Sequence, residues 1–376
     1  NFGATLREDF LFNIWRMGTR QIVRGEKAIG GPYAYVIDLS AQHDPTATVE
    51  FLRTFRKGGV EIRQADAVFS AGGKQYPNRT YVIGPQAFRP YVIDLMEPKQ
   101  YPDRRQYPGG PPEPPYDMTG YELGLQMGVK ADRITDPFPL PPRVVDEIPP
   151  AFREPFGIGD AFKLSRRANM AARAVTRLFK AGARVSVDES GDFVVQGVAR
   201  DVVERATADL GVPVGAGIRP SRQPRALRAP RVGLYRSHLA NMDEGWTRWV
   251  LEQYEFPYRT LTDTDIRGGD LTGLDIILFP DEAEDRILNG HRAGTMPPEY
   301  VGGIGGEGAA ALKRFDESGG WMYAWDGAAD FAISTFGLPL RNTVRNVPPE
   351  EFFIPGSLVN LDTRPESVLA AGMPER

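Results

Sequence analysis

The stretch that decides the fold is RVGLYRSHLANMDEGWTRWVLEQYEFPYRTLT, at residues 231–262. Its pattern predicts a strand, a helix and a second strand, and LDIILFPD (274–281) and WMYAW (321–325) follow as further strands. Strands that alternate with helices and are apolar throughout are typical of a parallel sheet covered on both faces. The sequence therefore predicts an α/β domain over residues 231–376.

In sheets of this kind, ligands bind beyond the carboxyl ends of the strands. Arg236 and His238 follow the first predicted strand, Asp281 follows the third and Asp326 follows the fourth, while Asp243 opens the intervening helix. We expect these five side chains to line a pocket for a small ligand, such as a sugar or a peptide fragment.

The helix predicted at 243–254 has an alternative functional interpretation. Asp243 is placed as its N-cap, and Glu244 stands four residues before Arg248 in the order that favours an ion pair. Trp246 and Trp249 fall on one side of the helix, so we expect both to be buried against the sheet. The alternative is that Asp243 or Glu244 lines a ligand groove.

Two segments upstream, at 30–97 and 151–217, share a β-α-β-β-α pattern. FLRTFRKGGVEI aligns with AVTRLFKAGARV, and RTYVIGPQAFRPYV aligns with GDFVVQGVARDVV. The alignment predicts a weak internal repeat whose copies pair into one α+β domain with a single mixed sheet. A chance match of a common pattern is the alternative.

Three further segments connect these regions. Residues 98–150 hold over a third of the chain's 33 prolines and are predicted to form an extended surface strap, with a proline-rich ligand for a partner as the alternative. Residues 218–230 are predicted to be a linker. Residues 1–29 carry helical spacing of apolar residues and are predicted to be the last helix of a domain whose body lies upstream.

The composition narrows the functional classes. The chain has 376 residues, 41% hydrophobic and 25% charged residues, and a net charge of −4 without any basic stripe, which argues against nucleic-acid binding. No apolar run is long enough to span a membrane. The absence of cysteine removes thiol nucleophiles, zinc–thiolate sites and disulfides.

Three motifs in the chain bear on its chemistry. The three histidines, His43, His238 and His291, have no second ligand at helical spacing, so no metal site is predicted within this chain. GGIGGEG at 302–308 satisfies a dinucleotide fingerprint, but prolines occupy the place of the required strand, and a glycine-rich approach to a helix is favoured. Asp326 occupies the strand-to-helix turn where some α/β hydrolases carry a nucleophile; a turn or N-cap role is favoured.

Five strings in the chain resemble one protein family. They are REDFLFNIWRMG, YDMTGYELGLQMGV, NMDEGWTRWVLEQYEFPYRTLTDTDIR, MPPEYVGGIGGEGAAALKRF and EFFIPGSLVN. Together they resemble the region that follows the peptidase domain in large bacterial carboxypeptidase A-like zinc metallopeptidase proteins. The resemblance spans nearly the whole chain. It implies that residues 1–29 are the tail helix of the peptidase domain and that residues 231–376 are most of a Rossmann-like, class I glutamine amidotransferase-like domain.

The resemblance also implies where catalysis lies. The zinc of the parent hydrolase is expected in a peptidase domain upstream, because no H-x-x-E pattern occurs here, and Glu8 is not assigned the catalytic role. Glutamine hydrolysis is not expected without a nucleophilic cysteine. The implied role is a non-catalytic accessory region that supports or gates the peptidase domain of the same chain, in a parent exported to the periplasm or the extracellular space.

Overall fold

The computed structural model describes residues 2–100, 102–115, 120–151, 161–216, 225–364 and 367–374. Residues 217–224 of the predicted linker region, 152–160 at the start of the second predicted repeat, and 116–119 of the strap lie outside these ranges. The chain divides into two compact units, one of residues 1–174, 187–224 and 348–376, and one of residues 175–186 and 225–347. Residues 348–376 are grouped with the first unit.

The secondary structure alternates short strands with helices along most of the chain. The elements up to residue 216 are α1 (Phe2–Thr5), α2 (Arg7–Glu26), β1 (Ala34–Ile37), α3 (Pro45–Lys57), β2 (Arg63–Gln64), β3 (Phe69–Ala71), β4 (Lys74–Tyr76), β5 (Tyr81–Ile83), α4 (Arg89–Met96), α5 (Leu123–Gln126), β6 (Asp132–Ile134), β7 (Arg143–Val144), β8 (Ala161–Leu164), α6 (Met170–Lys180), β9 (Arg184–Val187), β10 (Phe193–Gln196), α7 (Arg200–Thr207) and β11 (Val214–Ala216).

The later elements contain the parallel sheet. They are β12 (Arg225–Ala226), β13 (Val232–Arg236), α8 (Met242–Gln253), β14 (Tyr258–Thr262), α9 (Asp263–Gly268), β15 (Ile276–Phe279), α10 (Glu284–Asn289), α11 (Gly305–Glu317), β16 (Trp321–Ala324) and α12 (Gly327–Phe336).

The first unit contains a five-stranded sheet in the order β6-β1-β5-β2-β7. Its core packs α3 against β1 and β5, with Phe51, Leu52 and Phe55 buried beside Ile37 and Ile83. Both edge strands, β6 and β7, come from the proline-rich segment, so this segment is more than a surface strap. Edge positions tolerate prolines nearby because one side of an edge strand needs no hydrogen-bond partner.

The second β-α-β-β-α segment builds its own strands. β8 pairs antiparallel with both β10 and β11, with Phe193 opposite Leu164 in the first pair. The prediction that both segments share one mixed sheet was wrong, because β1 and β8 belong to separate sheets. Each segment satisfies its backbone hydrogen bonds locally, since β1 pairs with β5 and β8 with β10.

The second unit contains the predicted parallel sheet. Its four strands run in the order β14-β13-β15-β16, and every neighbouring pair is parallel. Helices α9 to α12 bury one face of this sheet, where Phe279 and Tyr235 meet residues such as Leu312 and Phe331. The mixed α/β class with a parallel sheet is therefore confirmed.

Helix α8 is oriented differently from the prediction. Trp246 and Trp249 do lie on one side, with ring centroids 6.2 Å apart, but they are 60% and 52% exposed. The side that faces inward carries Glu244, the buried residue of the helix, which pairs with Arg248 as predicted. Pairing with Arg248 makes burial of the Glu244 carboxylate tolerable.

Candidate functional site

The parallel sheet brings the ends of four strands to one edge. β13 ends at Arg236, β14 at Thr262, β15 at Phe279 and β16 at Ala324, and the register aligns all four. The loops that follow these strands therefore meet at the same edge, which is where ligands bind in open α/β sheets.

A buried carboxylate organises the loop after β13. Asp263 is 1% exposed, and its Oδ1 accepts a hydrogen bond from the hydroxyl of Tyr235 at 2.7 Å. Its Oδ2 accepts from the backbone N–H of His238 at 3.1 Å. Burial, followed by the charge of Asp263, raises the pKa of Tyr235 well above its usual range, so this phenol stays a donor.

His238 has an unpaired nitrogen at this edge. Its Nδ1 is buried without a hydrogen-bond partner and lies 3.8 Å from Oδ2 of Asp263. The ring of Tyr300 contacts the imidazole edge to face, with centroids 5.2 Å apart, and Nε2 of His291 lies 3.2 Å from the carbonyl oxygen of His238. The carboxylate of Asp263 and the ring of Tyr300 thus flank the imidazole at this edge.

A second buried carboxylate joins the loops after β13 and β15. Glu282 is 5% exposed, and its Oε1 accepts from Oγ of Ser237 at 2.9 Å and from Nε of Arg286 at 3.3 Å. Nδ2 of Asn241 donates to the carbonyl oxygen of Asp281 at 3.0 Å. These contacts hold the start of α8 to the loop after β15 and so fix the position of both at this edge of the sheet.

The turn between β16 and α12 is strained at Asp326. This residue has φ 45° and ψ −116°, a region that costs a side-chain-bearing residue on the order of 1–3 kcal/mol. Its side chain is exposed and makes no capping hydrogen bond to the helix. The next backbone N–H, of Gly327, donates to Oδ1 of Asp281 at 2.9 Å. The sharp turn thus presents a carboxylate, with a second carboxylate beside it.

The structure brings together some of the five predicted site residues. Asp281 contacts the turn that carries Asp326, and His238 lies at the same sheet edge. Arg236 is exposed at the end of β13. Asp243 is exposed in the first turn of α8, and the prediction that it caps the helix was wrong: the helix begins at Met242, so Asn241 is the cap and accepts from the N–H groups of Asp243 and Glu244.

Asp263, Glu282 and Tyr300 were not among the predicted site residues. Asp263 stands directly after β14, and Glu282 follows Asp281 after β15, so their positions at strand ends were the available signal. Their burial could not be predicted from the sequence, because an acidic residue after a strand is usually solvated. Tyr300 lies far along the chain in a turn rich in prolines, and nothing local linked it to His238.

The glycine-rich segment at 302–308 approaches α11 as predicted. A short 3-10 turn at Pro298–Tyr300 precedes it instead of a strand. A side chain at Gly303 would lie 2.2 Å from the carbonyl oxygen of Ile287, so close packing against α10 accounts for this glycine. The local structure therefore differs from a dinucleotide-binding turn.

The first unit also contains an open cleft of about 850 Å³. It lies between the proline-rich segment and residues 349–358, and its lining includes Arg105, Tyr121, Glu122 and Phe353. Oε1 of Glu122 is already engaged by the backbone N–H of Lys99 at 2.6 Å. The lining of this cleft is a mixed polar and apolar surface.

Metal-binding groups of side chains and membrane-spanning helices are both absent from the part of the chain that the structure describes. Across the described ranges, no three His, Asp or Glu side chains converge as a metal-binding group. No helix in the same ranges is both long and apolar enough to cross a membrane.

Comparisons with protein-family models, curated proteins and solved structures found no match to this chain.

Proposed function

We propose that this chain is a non-catalytic accessory region of a zinc metallocarboxypeptidase-like hydrolase, where it supports or gates the peptidase domain of the same chain. The family-like strings described above support the assignment. The observation that carries it in the structure is the exposed apolar face of α2, which belongs to the segment expected to be the tail of the peptidase domain.

Helix α2 is anchored only near its end. Gly25 is its one buried residue among those described, and a side chain there would lie 2.2 Å from the carbonyl oxygen of Gln86. The rest of the helix displays large apolar side chains, with Ile14, Trp15 and Met17 each more than 60% exposed. Polar residues occupy the opposite stripe; they are Asp9, Asn13, Arg16, Arg20 and Arg24.

An apolar face of this width needs a cover. Phe10, Leu11, Ile14, Trp15, Met17 and Ile22 follow the helical period of a core-facing helix, and a helix of this kind draws most of its stability from packing. Exposed contiguous apolar surface marks an interaction site. A peptidase domain packed on α2 would bury this face and link the accessory region rigidly to the catalytic one.

The geometry of the α/β unit supports an amidotransferase-like domain without amidotransferase chemistry. The turn at Asp326 has the strained strand-to-helix form on which such folds place a nucleophile, and it carries a carboxylate instead. The N–H of Gly327, which would stabilise an oxyanion in such a site, is engaged by Asp281. A carboxylate in that position repels a developing negative charge.

The test separates the two regions. The chain alone is expected to bind no stoichiometric zinc and to release no C-terminal residue from peptides. Zinc binding or release of C-terminal residues by the chain alone would contradict a non-catalytic role. In a protein that also contains the peptidase domain, Ile14→Glu on the apolar face is expected to lower peptidase activity or to separate the domains in limited proteolysis. The matched control is Asn13→Glu on the polar stripe, which is expected to leave both unchanged.

A second candidate function is binding of a small ligand, such as a sugar or a short peptide, at the edge of the parallel sheet. The buried, unpartnered Nδ1 of His238 favours it, because such atoms are usually satisfied in folded proteins. A thermal-shift screen of sugars and peptides tests this candidate. A ligand whose stabilisation disappears in both His238→Ala and Arg236→Ala would support it, and a ligand unaffected by these changes binds elsewhere.

A further inference from the structure

The exposed edge of the parallel sheet carries an unusual row of aromatic residues. β16 is the last strand in the order β14-β13-β15-β16, so one side of its backbone has no neighbouring strand within the described residues. Trp321 and Tyr323 on this strand and Trp325 directly after it alternate along the chain and are 63%, 39% and 44% exposed. Alternate residues of a strand point to the same face, so the three rings form one row.

This face of the sheet is progressively uncovered towards β16. The register aligns Val232 with Ile276 and Trp321, and Leu234 with Leu278 and Tyr323. Val232 and Leu234 on β13 are buried, Ile276 and Leu278 on β15 are partly exposed, and the aromatic residues on β16 are exposed. Parallel sheets are normally covered on both faces, so this part of the sheet lacks a cover.

The backbone of the edge is also unprotected. The N–H groups of Trp321 and Trp325 donate towards β15, to the carbonyl oxygens of Asp275 and Phe279 at 2.9 and 3.1 Å. The backbone groups of Met322 and Ala324 therefore point to the open side. From residue 321 to residue 325 there is no charge, proline or glycine, the features by which edge strands usually avoid pairing.

We infer that β16 pairs antiparallel with β16 of a second copy of this chain, about a twofold axis through Tyr323. In that register Met322 exchanges both of its backbone hydrogen bonds with Ala324 of the other copy, which matches the groups that point outward. Tyr323 faces Tyr323, and Trp321 faces Trp325, because the row W-x-Y-x-W reads the same from either end.

Symmetry favours a second copy as the occupant. A twofold interface requires a self-complementary patch, and a row centred on one tyrosine with a tryptophan on each side meets that requirement. Directly opposed aromatic residues stabilise antiparallel pairs. At their observed exposure the three rings offer roughly 300 Å² per copy. Pairing of the two strand edges brings part of this surface of each copy into contact.

Charge does not oppose the pairing. In this register Asp326 lies opposite Gly320, so no like charges meet across the pair near the axis. The continuous sheet would contain the four parallel strands of each copy, and the exposed rings of the two copies would lie side by side across the axis.

Sedimentation velocity of the whole chain tests the inference, because it distinguishes the monomer of 41.6 kDa from a dimer of twice that mass. The wild-type chain is expected to dimerise with increasing concentration, and Tyr323→Lys, which places like charges at the axis, is expected to weaken the dimer at least tenfold. Trp249→Lys, an equally large change on the exposed side of α8, is the control and is expected to leave the dimer intact. A wild-type chain that stays monomeric, or a dimer that persists in Tyr323→Lys, would overturn the inference.

The absence of native cysteine allows a direct test of the register. Under mild oxidation, Tyr323→Cys is expected to cross-link to itself, because directly opposed residues in antiparallel strands approach disulfide geometry. Trp321→Cys and Trp325→Cys are expected to cross-link to each other faster than either does to itself. If Tyr323→Cys and the exposed control Trp249→Cys formed the disulfide-linked dimer at equal rates, the pairing would be contradicted.

Discussion

Nδ1 of His238 lies 3.8 Å from the buried Oδ2 of Asp263, and the N–H of the same histidine donates to that oxygen at 3.1 Å. One carboxylate thus fixes the backbone of the loop and faces its imidazole. Its other oxygen holds the hydroxyl of Tyr235, in the core of the sheet. Asp263 therefore couples the packing of β13 to the position of His238 at the edge.

This coupling predicts that Asp263→Ala destabilises the second unit. The change leaves the hydroxyl of Tyr235 and the N–H of His238 buried without an acceptor, at a cost of about 2–4 kcal/mol from two unsatisfied groups. Urea unfolding measures the difference. Asp243→Ala, which removes an exposed carboxylate from α8, is the control, with an expected cost of about 1 kcal/mol or less. Equal losses in the two variants would contradict the structural role of Asp263.

The strained turn predicts that Asp326→Gly stabilises the chain. Glycine adopts the observed backbone angles without the penalty that a Cβ atom brings, and Asp326 makes no capping bond that would be lost. We expect a gain of about 1 kcal/mol in the free energy of unfolding. Asp326→Ala keeps the strain and is expected to change stability little, so a similar gain in both variants would place the effect in the charge of Asp326.

The orientation of α8 predicts that its tryptophans contribute little to stability. Trp246→Ala and Trp249→Ala are each expected to cost less than about 1 kcal/mol, because both rings already contact water. Phe279→Ala, in the buried face of the sheet, is the comparison and is expected to cost about 3–5 kcal/mol. Fluorescence-independent unfolding, such as far-UV circular dichroism, measures all three. A loss above 3 kcal/mol at either tryptophan would mean that α8 packs the other way.

The fold of the second unit was predictable because its signals are local. Apolar strands at 231–237 and 274–281 alternate with helices, and the period of each pattern fixes the element type. The face that α8 buries was not predictable in the same way. Spacing grouped Trp246 with Trp249 correctly, but the choice of the inward side depended on the Glu244–Arg248 pair, whose burial requires tertiary contacts.

The candidate site was predictable only in outline. Parallel strands bring their ends to one edge, so His238, Asp281 and Asp326 could be placed there from the chain order alone. The link between His238 and Tyr300 joins residues more than sixty positions apart, and no period in the sequence encodes it. The strands β6 and β7 show the same limit, since two or three residues in a proline-rich segment carry no strand pattern.

The base of the sheet predicts a dependence of stability on pH. Asp275 precedes β15, and its carboxylate accepts from the backbone N–H and the side chain of Arg231, and pairs with Arg228 at 2.6 Å. The hydrogen bond from Arg231 is the main reason that the pKa of Asp275 falls well below its usual range. A carboxyl group with a lowered pKa stabilises the fold above its unfolded pKa, about 3.9, and this stability is lost as the pH falls towards the folded value.

Asp275→Asn removes this titration. At pH 7 the variant is expected to be about 1–2 kcal/mol less stable than the wild type, because the charged hydrogen bonds to Arg231 become neutral ones. Below pH 4 the gap is expected to shrink, because Asp275 of the unfolded wild type takes up a proton there while the amide of the variant does not titrate. Urea unfolding of both proteins between pH 2.5 and 7 measures the gap, with those limits chosen roughly to bracket the unfolded carboxyl pKa. Asp270→Asn, on an exposed loop of the same unit, supplies the control, and a gap that stays constant with pH would show that Asp275 acts through shape alone.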